Sequence, residues 1–207
     1  MWIDLSYSWQ EAFIMAWESF KNNTIPIGSV IVDEKDNIIS RGRNQIFDEK
    51  SKNPLAGTYM AHAEMTAMAL LKEKEHKNIR SYTLYTTMEP CPMCFGTMVM
   101  MGIRNVKYAA RDGYAGATIL NNKIDYIANK NIQINSEPNL EKFQICIHTA
   151  FECIRKHPRM NELLTNWSEY CQDGVELGKS LHKSGYFSNA LMNNKSIEEI
   201  YNELIVS

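Results

Sequence analysis

Thr83-Leu-Tyr-Thr-Thr-Met-Glu-Pro-Cys-Pro-Met-Cys94, followed by Phe95-Gly-Thr-Met-Val-Met-Met101 and Gly102, is the stretch that decides the fold. Its first part, with the two residues before it, Ser81 to Thr87, is rich in residues that suit a pleated sheet, so it reads as a strand. Prolines then punctuate the chain, and Cys94 to Met101 reads as a helix that Gly102 ends. Asn105 to Ala110 resumes a strand pattern. Two strands joined through a helix are expected to lie parallel in one sheet.

Working outward toward the amino terminus, Trp9, Ala12, Phe13, Ala16, Trp17 and Phe20 recur at three-four spacing, so Ser8 to Phe20 is expected to be an amphipathic helix. Gly28 to Val32 and Ile38 to Gly42 flank Asp33-Glu-Lys-Asp-Asn37, which predicts an antiparallel hairpin. Residues 44–60 carry turn formers and little periodicity, and Ala61 to Leu71 is rich in helix formers, so a long loop should deliver the chain to a helix start near His62. These elements predict an α/β three-layer sandwich, with a mixed sheet flanked by helices. Beyond about residue 130 the composition shifts to Asn, Lys and Glu. Leu140, Phe143, Ile147, Ala150, Phe151 and Ile154 trace one helix face there, and further helices are expected at Met160 to Tyr170 and Ser196 to Ile205. The expected division is a catalytic domain over 1–128 and a mainly helical C-terminal extension over 129–207 packed on it.

The 207 residues are 44% hydrophobic and 22% charged, which excludes a disordered chain and allows one sizeable core. No apolar stretch approaches the roughly 20 residues of a membrane span, so no membrane partner is expected. Twenty-two basic against 24 acidic side chains, a formal charge of −2, disfavour a phosphate-backbone partner such as tRNA. An odd count of five cysteines argues against a disulfide scaffold and for a reducing, cytoplasmic location.

The chemistry is concentrated in His62-Ala-Glu64 and Pro90-Cys-Pro-Met-Cys94. Cys-x-x-Cys alone is more often a structural zinc knuckle or a redox pair, and His-x-Glu alone arises by chance. Together, each at a predicted helix start, they form the established mark of zinc deaminases. One imidazole and two thiolates (His62, Cys91, Cys94) give three ligands for one Zn²⁺ and leave a fourth position open, as catalytic zinc requires. Cys91 and Cys94 at the first turn of a helix present both sulfurs on one face, where the helix dipole favours thiolates. Glu64, unligated, is the expected catalytic proton carrier, from water to a ring nitrogen and then to the leaving amino group. The arrangement requires two helix starts to meet.

At these residues the sequence resembles the cytidine and deoxycytidylate deaminase superfamily, in the branch with tRNA-specific adenosine deaminase, bacterial guanine deaminase and cytosine deaminase. The matching segments are Ile25 to Val32, Gly42-Arg-Asn44, Ala61 to Ala67, Thr83 to Cys94 and Val106 to Asp112, spanning roughly residues 8 to 120. The resemblance implies a cytidine deaminase-like fold and substrate contacts from Asn44 and the backbone of Ala63. It also implies a supporting role for Glu89 beside the zinc site, and a homodimer. The chain departs from the branch between Asn44 and His62, where Leu55-Ala-Gly-Thr-Tyr-Met60 replaces a compact lead-in and should alter the pocket wall, and nothing matches after about residue 128.

The expected activity is therefore zinc-dependent hydrolytic deamination of a small heterocycle, a nucleobase or nucleoside. Adenosine-to-inosine deamination in tRNA, aided by Arg104, Lys107 and Arg111, is the alternative, and a non-catalytic zinc-stabilised scaffold is a third reading. Met93, Met98, Met100 and Met101 read as helix core or dimer contacts, and Cys146 and Cys153 as buried thiols. His76, His148, His157 and His182 read as surface or satisfied positions, and Trp167, Tyr170, Tyr186 and Phe187 as packing.

Overall fold

The computed structural model describes residues 1–205. The opening amphipathic helix is α1, Tyr7–Lys21, and the hairpin follows as β1, Gly28–Val32, and β2, Ile38–Arg43. After the long loop come α2 (Ala63–Met68), β3 (Thr83–Met88), α3 (Pro92–Met101) and β4 (Asn105–Ala110). Gly102 ends α3 in the left-handed region at φ 102°, a conformation glycine adopts at no steric cost. The expected helix over 61–71 is shorter than its composition suggested, because the chain turns after Met68.

The remaining elements are α4 (Asp125–Ala128), β5 (Gln133–Ser136), α5 (Pro138–Arg155), α6 (Met160–Lys183), α7 (Tyr186–Met192) and α8 (Ile197–Ile205). The sequence reading contains none of α4, β5 and α7. The sheet order is β2-β1-β3-β4-β5, with β1 antiparallel to both neighbours and β3, β4 and β5 parallel. The mixed sheet is as predicted, extended by an edge strand that lies within the C-terminal stretch. α6 departs from helical geometry at Cys171 (φ −146°, ψ 67°).

Alternation along the strands sends side chains to two cores. On one face Val30, Val32, Tyr85 and Ala109 meet α1, α5 and α8, with Phe13 and Phe143 in edge contact at 5.3 Å. On the other, Ile31, Leu84 and Val106 meet α2 and α3 through Met65, Phe95 and Met98. Full burial of each such side chain contributes about 1.5–3 kcal/mol. Two glycines allow the close approach of helix to sheet. A Cβ at Gly28 would strike the backbone of α1 at Ala12 and Ala16, and one at Gly42 would strike the backbone of α2 at Ala63 and Ala67. A third core, built from Met88, Ile145, Leu163, Leu164 and Trp167, joins α5 and α6 to the ends of the central strands.

Candidate active site

The two helix starts meet. His62 is the N-cap of α2 with extended backbone (φ −66°, ψ 154°), and Cys91 is the N-cap of α3 (φ −70°, ψ 171°), with Pro92 at the first helical position. An N-cap side chain and the side chain three residues on lie over the same first turn, which brings Cys91 and Cys94 together. The His62 Nδ1 atom lies 3.5 Å from Cys91 Sγ and 3.5 Å from Cys94 Sγ. Tetrahedral zinc with ordinary Zn–N and Zn–S bonds sets nitrogen and sulfur about 3.6 Å apart, so this donor set fits the ion in both chemistry and spacing. Among the described residues this is the one group of three or more such side chains close enough to share a metal.

The electrostatics suit metal capture. The thiol of Cys94 hydrogen-bonds to Cys91 and, with His62, pulls the Cys91 thiol down to about 4. Cys94 is pushed well above its ordinary value by its bond to Cys91 and by burial. The pair thus shares one proton, which a metal ion displaces. Burial draws the His62 imidazole toward neutrality, but the neighbouring Cys91 and Glu64 more than offset this. Glu64, in the first turn of α2 and 4% exposed, stands beside the three donors and is not one of them. Burial pushes its carboxyl up to about 7, against the opposing attraction of His62.

His62, Glu64 and Cys91 face a cavity of about 190 Å³ where the parallel strands β3 and β4 end, with Cys94 buried behind them; this is the side of an α/β sheet where ligands commonly bind. Asn44, buried, lines it. Its Oδ1 accepts hydrogen bonds from Thr24 Oγ1 (2.7 Å) and from the backbone N–H of Ile46 (3.1 Å), and among the described residues no hydrogen bond engages its amide nitrogen. The amide is therefore a fixed donor with spare capacity. Ala63 is fully buried and lies outside the cavity lining, with its carbonyl accepting from Thr66 Oγ1 at 2.9 Å. Glu89 lines the cavity and braces its rim. It accepts from the backbone N–H groups of Asp112 and Thr118 (3.2 and 3.1 Å) and from the Thr118 hydroxyl.

The C-terminal wall of the cavity overturns one expectation. No residue between 45 and 61 lines the cavity, so the unusual loop does not form its wall. That wall comes from the C-terminal helices: His148, Glu152 and Arg155 of α5, and Leu163 and Trp167 of α6. His148, read as a surface or satisfied position, is buried; it stacks on Trp167 at 4.4 Å between ring centroids and lies 3.5 Å from Glu152. Glu152 is 1% exposed. Burial alone would raise its carboxyl, but His148 and Arg155, whose Nε donates at 2.6 Å, hold it below the ordinary range. Trp167 is buried as expected, yet it also faces the cavity, and its Nε1 donates to Asp112 Oδ1 at 3.2 Å. The missed signal was the spacing of 148, 152 and 155, a polar stripe along a helix whose neighbouring positions are core.

The cations read as aids to tRNA binding do not form one surface. Arg104 and Arg111 flank the six residues of β4, a separation of about 20 Å. Arg111 pairs with Glu141 at 3.2 Å, and Lys107 donates to Tyr85 Oη at 3.2 Å. No helix among the described residues is long and apolar enough to cross a membrane.

Comparison with known proteins agrees with this geometry. The family described as the cytidine and deoxycytidylate deaminase zinc-binding region matches residues 4–110. Cytosine deaminase of Candida albicans is 24% identical over 162 residues, 77% of this chain and 91% of that one. The tRNA-specific adenosine deaminase of Haemophilus influenzae is 30% identical over 149 residues, 68% of this chain and 79% of that one. A solved structure from a study of A-to-I editing by tRNA:A34 deaminases superposes with a TM-score of 0.54 at 23% identity. It covers 63% of this chain and 97% of its own, a likeness of fold. The chain belongs to the cytidine and deoxycytidylate deaminase zinc-binding family and is a hydrolase acting on C–N bonds of nucleobases or nucleosides.

Proposed function

We propose that the substrate is a free nucleobase, nucleoside or related small heterocycle, whose exocyclic amino group is replaced by a carbonyl with release of ammonia. The observation that carries this reading is the wall built by α5 and α6. His148, Glu152, Leu163 and Trp167 of the same chain line the cavity together with His62 and Glu64, and its volume of about 190 Å³ leaves room for a small ring.

In this reading His62, Cys91 and Cys94 hold zinc. Zinc bound there acts as a Lewis acid and lowers the pKa of water toward roughly 7. Glu64 accepts a proton from the attacking water and delivers it to the ring nitrogen beside the reacting carbon. It then carries the second proton to the amino group, so that ammonia departs and a carbonyl remains. A buried carboxyl with an affinity for protons near neutrality suits both halves of that relay. Asn44 donates its free amide to an acceptor on the ring, and the Glu89 brace keeps the 112–118 rim in place.

Ammonia release from guanine, cytosine, adenosine, cytidine and amino-triazines, measured beside an anticodon stem-loop, tests the reading. Turnover of a free heterocycle is expected. Turnover of the stem-loop alone would replace it with tRNA editing, the reading that the Haemophilus relative favours.

A further inference from the structure

At the opposite end of the sheet, before β3 and β4 begin, the chain around residues 73–80 faces the last turn of α3 and the stretch after α4. Between them lies an open groove of about 880 Å³. Lys74, Lys77, Arg80, Arg104 and Lys130 line it, against a single carboxylate, Glu73. None of these five cations forms a salt bridge among the described residues. In a chain of net charge −2, five unpaired cations in one groove is a strong local concentration.

Two of the cations are held in place. Arg104 Nη1 donates to the carbonyls of Val99 and Ile103 (3.3 and 3.1 Å), which ties the guanidinium to the end of α3. Lys130 Nζ sits 4.3 Å from the Tyr126 ring centroid. Burial and the adjacent charge of Arg80 both lower the proton affinity of Arg104, the mark of like charges gathered without a counterion. Beside the cations a second depression has an apolar floor of Leu71, Ile79, Met100 and Met101, with Met100 71% exposed.

We propose that this groove binds a small free ligand carrying several linked phosphates, with its phosphates on Lys74, Lys77, Arg80, Arg104 and Lys130 and its remaining part against Met100. Guanidinium forks match phosphate oxygens two at a time, and lysines add charge. A free ligand fits better than a nucleic-acid backbone because the cations along β4 toward the cavity are not free to extend the groove. Lys107 and Arg111, which would continue it toward the cavity, are engaged within the chain.

The test is calorimetric titration of inorganic triphosphate into the zinc-loaded full chain at low and at 0.3 M salt, roughly a threefold change in screening length. One site per chain is expected, weakened by salt. Replacing the exposed pair Lys77→Ala and Arg80→Ala should weaken binding at least tenfold. The same charge change at Lys35→Ala and Lys52→Ala, away from the groove, should leave it within twofold. ATP should bind at least as tightly as triphosphate. Absence of binding, equal losses in the two double variants, or exclusion of ATP would each overturn the proposal. So would an anticodon stem-loop that triphosphate cannot displace, which would make the groove an RNA surface. None of these readouts uses deamination, so their failure is separate from failure of the proposed activity.

Discussion

Gly42→Ala adds one methyl group where α2 crosses β2. That Cβ would strike the Ala63 carbonyl and the Ala67 nitrogen and lie 2.6 Å from Thr66 Oγ1, whereas ordinary contact begins at 3.4 Å. Relief requires α2 to withdraw by on the order of 1 Å, and α2 carries Glu64 with His62 at its cap. Overpacking of this kind costs about 1–3 kcal/mol. In a chain of this size each kcal/mol lowers Tm by roughly 2–4 °C, so a drop on the order of 5 °C is expected. A misplacement of about 1 Å at reacting groups costs on the order of 100-fold in rate. Gly96→Ala is the internal control. Its Cβ would meet nothing within 4 Å, and its helical position in α3 should make alanine stabilising by about 0.5–1 kcal/mol. Calorimetric Tm, zinc retained after dialysis against a chelator, and ammonia release would be measured on both variants. If Gly42→Ala matched Gly96→Ala in melting and zinc retention, the argument that this glycine sets the position of the site would fail.

Glu64→Gln should retain zinc and lose ammonia release by about 100- to 10,000-fold, and full turnover in that variant would refute the proton relay. Cys94→Ala should lose the metal as well as the activity, as read by elemental analysis, because it removes one of three donors. Trp167→Phe deletes the 3.2 Å bond to Asp112, so it should cost about 1 kcal/mol in thermal stability and raise KM more than it lowers kcat. Equal effects on the two constants would show that Trp167 does not shape the cavity. Arg155→Gln removes one partner of the buried Glu152 carboxylate, and urea unfolding should show a loss of about 2 kcal/mol at pH 7. Because the folded state holds Glu152 below its ordinary value, that stabilisation is present above the unfolded carboxylate pKa. It is lost as pH falls through the folded one, so the gap between wild type and variant should close in acid.

The residues that were legible in the sequence are those whose spacing repeats an element's own geometry. The three-four stripe of α1, the paired runs of β1 and β2, and the strand-helix-strand run through β3, α3 and β4 each carry enough apolar contrast to be read locally. β5 does not. Gln133-Ile-Asn-Ser136 has one apolar side chain, because an edge strand buries little of itself and is fixed by backbone pairing to β4. The zinc donors could be read because metal coordination demands particular side chains at particular intervals. Asn44 is named as a candidate only through resemblance, and the free end of its amide depends on the partner that occupies its oxygen, Thr24, twenty positions away. His148 and Trp167 were hidden because a polar group facing a cavity and one satisfied in a core have the same composition. Only the packing of α5 against α6 separates the two.

The C-terminal wall and the metal donors occupy separate stretches of chain joined through β5. His62, Cys91 and Cys94 rest on helix caps anchored by Gly42 and Pro92, whereas His148, Glu152 and Trp167 ride on helices that begin after the last strand. On the proposed reading, the α5 and α6 wall can therefore change without disturbing the metal donors. Exchanging only the 148–167 hairpin between related chains should retune which ring is accepted while the hydrolytic step stays intact.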